Sequence, residues 1–248
     1  MSQATIPLPR RQLAIGPIRG WRGLSSYAVL LGLMTVALYM IFIFAPPERV
    51  QGDAQRIFYG HVSVAWLAFV AFFVVVIGSA MYLWRRNPRW DYLAVASAEI
   101  GVLFTTLTLA TGSIWGRIVW GVWWTWDPRL TTTLVLWFIY VAYLAVRTYI
   151  DDVGLRRRVA AVLGIFGFVD VPIVWFSVQW WRSLHPVQTL TASGGGLTRE
   201  MLITLLVTLS AFTFFYAVLL RQRYLLERAA EEAAELRERV RMEAQGTA

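Results

Sequence analysis

The two histidines of the chain, the only ones it has, are the side chains best suited to bind a metal. His61 stands among aromatic residues near the start of an apolar run, and His185 follows the pair Trp180 and Trp181. A neutral imidazole is the commonest metal ligand of proteins. A lone histidine at an interface is more often simply hydrogen-bonded. Because both histidines lie beside aromatic clusters, we favour metal or haem ligation over that alternative.

Haem suits these surroundings better than a bare metal ion. A zinc site takes three or four Cys, His or carboxylate ligands, and the chain has no cysteine. Haem iron needs only one or two axial ligands from the protein. Without cysteine there is also no Cys-x-x-Cys-His attachment site. The predicted cofactor is therefore non-covalent haem b, with His61 and His185 as its axial ligands or as ligand-exchange partners.

A tryptophan cluster offers a flat aromatic surface. Five of the 13 tryptophans fall within the 12 residues from Trp115 to Trp126. An interfacial aromatic belt is one alternative, but a belt spreads its rings over helix ends on both sides of a membrane. These rings occupy one connection, so we favour a binding platform. If the segment were helical, Trp120, Trp123 and Trp124 would share one face.

Charged residues adjoin this cluster. Asp127 followed by Pro128 fits the N-cap and first position of the next helix. That structural role and a role at the ligand are compatible, and both are open for Asp127. Cations beside the aromatic surface could neutralise the carboxylates of a flat apolar ligand. The candidate propionate contacts are Arg117, Arg129, Arg56 and Arg182.

Composition predicts that a membrane positions these residues. The chain is 58% hydrophobic, has a mean hydropathy of +0.55 and carries only 15% charged residues, whereas soluble domains carry about a quarter. About 20 apolar residues cross a bilayer. We predict an all-α polytopic membrane protein with six transmembrane helices, at about Tyr27–Phe44, Ile57–Leu83, Tyr92–Ile114, Leu130–Ile150, Val159–Val178 and Met201–Leu220.

Arginine distribution predicts the orientation, because positive charge accumulates in cytoplasmic connections. One side carries 16 of the 23 arginines and the other carries 6, with Arg147 near a helix end. Both termini are then cytoplasmic, and the loops with the histidines and tryptophans face outward. The predicted division is a cytoplasmic tail at 1–26, a transmembrane domain at 27–220 and a charged helical tail at 221–248.

The charge pattern and the absence of lysine limit the function. The net charge of +8 comes from arginines between apolar runs, a topology signal, so no nucleic-acid partner is expected. The chain has no lysine and hence no Walker A loop. Any ATP hydrolysis would therefore belong to a partner subunit.

The chain resembles the CcmC family, the haem exporter protein C of cytochrome c maturation. Its loop resembles the tryptophan-rich WWD signature of haem-handling membrane proteins, and the likeness extends over about residues 25–220. The stretches that carry it, besides the loop, are Gln51–Val62, Thr111–Ser113 with Trp115–Gly116, Val171–Ile173 and Ser177–His185. Two residues depart from the family pattern. Ser63 stands where the family commonly has proline, and Pro128 follows the signature aspartate, where relatives also have a small residue.

The resemblance implies a role and a site. Proteins of this family present haem at the outer face of the bacterial inner membrane to the periplasmic haem chaperone CcmE, and work with CcmA, CcmB and CcmD. His61 and His185 match the two family histidines that ligate haem. Trp115–Leu130 matches the haem-binding loop, in which we single out Trp115, Gly116, Trp120, Trp123, Trp124, Trp126 and Asp127.

Other function classes remain as alternatives to this transfer module, which is not an enzyme. The first is a membrane subunit of an ABC-type complex that translocates haem or another amphiphile. A quinol- or haem-using redox subunit is disfavoured because such proteins normally need histidine pairs within the spans.

Two acidic residues lie inside the apolar runs. A charged group at mid-membrane costs about 2.5–3.5 kcal/mol on insertion scales, so a role is expected for Asp170. Our preferred interpretation is that it stabilises a bend made by Pro172. Glu99 is expected to make a packing or partner contact. In the tail, Glu227 and Glu231 at i,i+4 spacing are expected to repel each other slightly.

The arginine asymmetry yields a topology prediction. A reporter active only in the periplasm should be silent when fused after Leu220 and active when inserted near Gly195. Reporter activity in whole cells measures both. The reverse pattern would overturn the orientation, and with it the outward position of the histidines.

Overall fold

The computed structural model describes residues 21–185 and 196–246, and within them the chain is helical, without a strand. The N-terminal tail predicted for 1–26 lies largely outside these residues, as does the insertion site near Gly195. The helices are α1 (Trp21–Tyr39), extended by a π-helical turn (Met40–Phe44), α2 (Arg56–Arg85), α3 (Pro88–Trp120), α4 (Pro128–Tyr149), α5 (Val153–Phe168), α6 (Asp170–Trp180) and α7 (Arg199–Gly246).

Six of the described helical segments are long and apolar enough to cross a membrane, which confirms the prediction of six spans. α5 and α6 together form the fifth span, and α7 forms the sixth. The starts of α2 and α4, the ends of α3 and α6 and both histidines lie at one end of the bundle, which we call the histidine end. The predicted domain boundary at 220/221 lies inside α7, which continues unbroken to Gly246.

Side-chain caps fix several helix starts. Asn87, Asp127 and Asp152 each precede a helix and accept a hydrogen bond from a backbone N–H of its first turn. Pro88 and Pro128 follow two of these caps at the first helical position, where a missing N–H costs nothing. The departure at Pro128 therefore begins α4 cleanly. At the other departure, the Ser63 hydroxyl donates to the Tyr59 carbonyl (2.7 Å) and α2 remains unbroken.

The centre of the bundle is packed around α2 and α3, which share the most extensive helix contact. Phe72 of α2 stacks on Tyr140 of α4 with ring centroids 3.7 Å apart. A Cβ added to Gly101 of α3 would lie 2.5 Å from the Phe72 ring. Small residues let helices approach closely in a membrane, where packing rather than hydrophobicity holds them together.

The fifth span is interrupted at Val169, between α5 and α6. Pro172 lacks the N–H that would bond the Phe168 carbonyl one turn earlier, and its ring crowds that carbonyl. The interruption therefore lies where the bend was predicted. Asp170 is the first residue of α6, is 8% exposed, and its Oδ2 has no hydrogen-bond partner in the described structure.

Ion pairs join the helices at the end opposite the histidines. Asp91 of α3 is buried and binds Arg147 of α4 in a bidentate pair (2.7 and 2.8 Å), and also Arg157 of α5 (3.2 Å). Arg157 in turn binds Glu231 of α7. Arg147, which the sequence left between the two sides, therefore belongs to this end.

A second group of ion pairs joins α3 to α7. Arg223 contacts Glu99 and lies 3.0 Å from Glu227. Glu99 thus makes a contact within the chain. The repulsion expected between Glu227 and Glu231 is offset, because each carboxylate is paired with an arginine. Glu227 pairs with Arg223, and Glu231 pairs with Arg157.

Candidate functional site

His61 projects from α2 onto α3. Its Nδ1 lies 2.9 Å from the Thr111 hydroxyl oxygen, and its ring centroid lies 5.7 Å from that of Trp115. The Trp115 indole N–H donates to the Gln51 side-chain oxygen (2.9 Å), which anchors this ring against the segment before α2. The imidazole is therefore held by a polar contact and by an aromatic neighbour that is itself fixed.

His185 lies in the segment that follows α6. Its ring meets Trp120 edge to face at 4.9 Å, and its Nδ1 lies 3.2 Å from Asp127 Oδ1. The Ser183 hydroxyl accepts the His185 backbone N–H (3.0 Å) and donates to Asp127 Oδ1 (3.0 Å). With 18% of its side chain exposed, His185 is enclosed by the loop between α3 and α4.

Asp127 connects two stretches of chain that are far apart in sequence. It accepts the Arg129 backbone N–H (3.0 Å) as N-cap of α4, and its Oδ2 accepts the Leu184 backbone N–H (2.7 Å). Burial raises the pKa of Asp127, but the hydrogen bonds from Ser183, Leu184 and Arg129 outweigh burial and bring the pKa below its ordinary value. The carboxylate is thus ionised at neutral pH.

Burial also determines the charge state of His185. It lowers the pKa of His185, Asp127 opposes that effect, and Arg129 adds to it, so that the net pKa is below the ordinary value. The imidazole is therefore neutral at neutral pH. Because the ionised Asp127 can only accept, the ring proton lies on Nδ1, and Nε2 keeps a lone pair.

The two predicted ligands contact the same stretch of α3. His61 lies against Trp115 and His185 against Trp120, five residues further along, while Arg129 directly follows the helix start capped by Asp127, which contacts His185. The structure thus brings together both predicted ligands and one predicted propionate contact, although they come from three separate parts of the chain.

The other three candidate arginines are placed differently. Arg117 is exposed and donates to the Gly121 carbonyl, and Arg56 donates to Asp53 Oδ1 (2.9 Å) and to the Ile41 carbonyl. Arg182 is exposed and lines an open depression of about 380 Å³ together with Trp126 and Asp127.

Only part of the tryptophan segment is an irregular loop. α3 continues to Trp120, beyond the predicted end at Ile114, so Trp115 and Trp120 are helical. The helix ends at Gly121, whose φ of +78° favours glycine. Because the residues after Gly121 are not helical, the single face predicted for Trp120, Trp123 and Trp124 does not form.

Close contacts shape this segment. The Trp120 ring lies over Gly116, where an added Cβ would be 3.1 Å from the ring. The Ser113 hydroxyl donates to the Trp123 carbonyl (2.8 Å), tying the loop back to α3. Trp123 and Trp126 are 60% and 75% exposed, and Trp126 meets the half-buried Trp124 edge to face at 5.7 Å. The loop therefore presents free aromatic surface beside Asp127.

Sequence reasoning assigned no role to several residues that hold this site. Thr111 and Ser113 of α3, Gln51 and Ser183 each bond a predicted site residue. Thr111 lies four residues before Trp115 and hence on the same helix face. That spacing would have identified it, had α3 been predicted to extend past Ile114.

Comparison with known proteins identifies the family. The family model described as CcmC, Heme exporter protein C, matches residues 19–239. The chain belongs to the CcmC family. Heme exporter protein C of Bradyrhizobium diazoefficiens is 40% identical over 188 residues, 75% of this chain and 71% of that protein.

Further relatives have a similar extent. Heme exporter protein C of Escherichia coli K12 is 39% identical over 191 residues, 76% of this chain and 75% of that protein. A ccmC-like mitochondrial protein of cytochrome c biosynthesis from Marchantia polymorpha is 34% identical over 186 residues, 75% of this chain and 79% of that protein. These matches confirm the resemblance noted from the sequence.

The double role of Asp127 can be tested against a simpler cap. Asp127→Ala and Asp152→Ala each remove an N-cap, which costs about 1 kcal/mol. Only Asp127→Ala also frees the segment at 183–185. We expect hydrogen exchange of residues 181–185 to accelerate in Asp127→Ala and to stay unchanged in Asp152→Ala. Equal exchange in the two variants would contradict the assigned role.

Proposed function

We propose that this CcmC-family protein binds haem b non-covalently at its histidine end and presents it to the periplasmic chaperone CcmE during cytochrome c maturation. The proposal includes an outward-facing site in the bacterial inner membrane, and CcmA, CcmB and CcmD as partner subunits. One observation carries it: the only two histidines of the chain contact Trp115 and Trp120 at the end of α3, and His185 also contacts Asp127.

The state of His185 supports its role as an axial ligand. Metal-binding histidines usually donate their second ring N–H to a carboxylate or carbonyl, which fixes the tautomer and strengthens the ligand. Asp127 occupies that position for Nδ1 of His185. The Nε2 lone pair would then be free to coordinate the haem iron.

The surroundings suit a porphyrin better than a bare metal ion. Among residues 21–185 and 196–246, no three His, Cys, Asp or Glu side chains are grouped as a metal site. Haem iron already has four porphyrin ligands, so two imidazoles could complete its coordination, and exposed indole rings could pack on the porphyrin. Trp123 and Trp126 offer exposed aromatic faces, and Arg129 adds a positive charge two residues after Asp127.

Release of the cargo is also compatible with this arrangement. His61 belongs to the long helix α2, whereas His185 lies on a short irregular segment that Asp127 holds. Loss of one axial ligand would open a coordination position to an incoming group of the chaperone. Ligand exchange thus gives a non-covalent site a route for transfer without catalysis by this chain.

Single histidine variants test the proposal. In detergent, His61→Ala and His185→Ala should each alter the haem absorption spectrum and block transfer to the chaperone. Exogenous imidazole should partly restore binding, since it can fill the vacated position. Unaltered spectra in both variants would mean that the ligands lie elsewhere. Altered spectra with normal delivery of haem across the bilayer would favour the translocating subunit.

The arginines give a graded test. A hydrogen bond to a charged group contributes about 1.5–3 kcal/mol, so Arg129→Gln should weaken haem retention by about tenfold or more. Arg117→Gln is the matched variant, because Arg117 is exposed and bonded to the Gly121 carbonyl; its effect should be smaller. Competition with a haem-binding protein measures both. No loss in Arg129→Gln would remove Arg129 from the site, and an equal loss in the two variants would assign both arginines to it.

A further inference from the structure

The Thr111 hydroxyl has two close hydrogen-bond partners, besides a longer contact of 3.4 Å to the Thr108 carbonyl oxygen. Its oxygen is 2.6 Å from the Leu107 carbonyl oxygen and 2.9 Å from His61 Nδ1. A carbonyl can only accept, and a threonine hydroxyl has a single proton. The short bond to Leu107 uses that proton. His61 Nδ1 must then donate its own proton to the lone pair that Thr111 has left.

From this geometry we infer that Thr111 is a positioning residue that sets the tautomer of His61. Nδ1 carries the proton, and Nε2 keeps its lone pair for the haem iron. The inference rests on the proposed function, in which His61 is an axial ligand, and adds to it a residue with no previous role. Thr111 does for His61 what Asp127 does for His185, but with a neutral acceptor.

Gly112 provides the space that this contact needs. A Cβ at Gly112 would lie 3.0 Å from His61 Cε1 and 3.7 Å from Nδ1. The missing side chain therefore lets the imidazole lie against α3 and reach the hydroxyl of the preceding residue. Gly60, the residue before His61 on α2, differs: a Cβ there would meet nothing within 4 Å.

Trp115 completes the enclosure one turn further along α3. Its ring lies 5.7 Å from that of His61 and is fixed by Gln51. Thr111, Gly112 and Trp115 thus form a cradle on one helix, with a hydrogen-bond acceptor, a gap and an aromatic wall. Thr111 determines which ring nitrogen carries the proton, Gly112 sets how close the ring lies to α3, and Trp115 restricts its tilt.

The chain allows a direct measurement of the tautomer, because it contains only two imidazoles. Haem-free protein labelled with ¹⁵N-histidine and purified with a histidine-free tag gives ring-nitrogen chemical shifts that distinguish a protonated from a bare nitrogen. The spectrum of His185→Ala assigns the His61 signals. We expect the His61 proton on Nδ1. A wild-type His61 that carries its proton on Nε2 would overturn the inference before any Thr111 variant is made.

Variants of Thr111 test the cause. Thr111→Ser keeps the hydroxyl and should leave the shifts unchanged, whereas Thr111→Val keeps the shape and should move His61 towards the Nε2-protonated form. Thr108→Val is the matched control, since among residues 21–185 and 196–246 the Thr108 hydroxyl bonds the Phe104 carbonyl of its own helix and does not contact His61. Loss of the hydrogen bond that orients a metal-binding histidine typically weakens metal binding about 10- to 100-fold. We expect that loss of haem retention in Thr111→Val alone among the three.

Glycine substitutions test the gap independently. Gly112→Ala should displace the ring and weaken haem retention, and Gly60→Ala should not.

A His61 that still carries its proton on Nδ1 in Thr111→Val would overturn the inference. The tautomer is read in haem-free protein, so this failure is distinct from a failure of the proposed function, which His61→Ala with an unaltered haem spectrum would reveal.

Discussion

The carboxylate of Asp127 accepts hydrogen bonds from the first turn of α4 and from the segment that ends in His185. One ionised group therefore starts a transmembrane helix and orients an imidazole that lies more than fifty residues away. The helix cap predicted from the sequence forms, and the same carboxylate contacts His185, the predicted ligand. A buried carboxylate is costly unless its lone pairs are used. Here several donors converge on it, and they fix the histidine end.

At the opposite end of the bundle, ion pairs join helices that are far apart in sequence. Asp91 holds arginines from α4 and α5, and Arg157 also binds Glu231 of α7. Arg223 of α7 pairs separately with Glu99 of α3. Removing one member of a buried pair leaves an uncompensated charge, which is strongly destabilising. The α3 helix carries residues of both ends, Asp91 near its start and Thr111 and Trp115 near its finish. Contacts at both ends thus meet on one helix.

Sequence reasoning reached the helix class, the number of spans, the family and the cap at Asp127, because apolar length and local capping chemistry are read directly from the chain. It placed the end of α3 too early, because the apolar run weakens before the helix stops at Gly121. It also missed Thr111, whose importance depends on a partner fifty residues away. The ion pairs of Glu227 and Glu231 were missed for the same reason: helix spacing reports neighbours on one helix and says nothing about arginines on another.

The uninterrupted course of α7 has a mechanical consequence. Its 48 residues extend about 72 Å at 1.5 Å per residue, more than twice the roughly 30 Å of a hydrocarbon core. Near its start, Met201 and Leu205 pack with Ile41 and Tyr59, and Tyr59 is one turn or less from His61 on α2. One continuous helix thus links the neighbourhood of a predicted ligand to a charged tail, and it is much longer than a bilayer requires. A force on that tail would act through α7 on the contacts it makes near its start, which include the helix that carries His61.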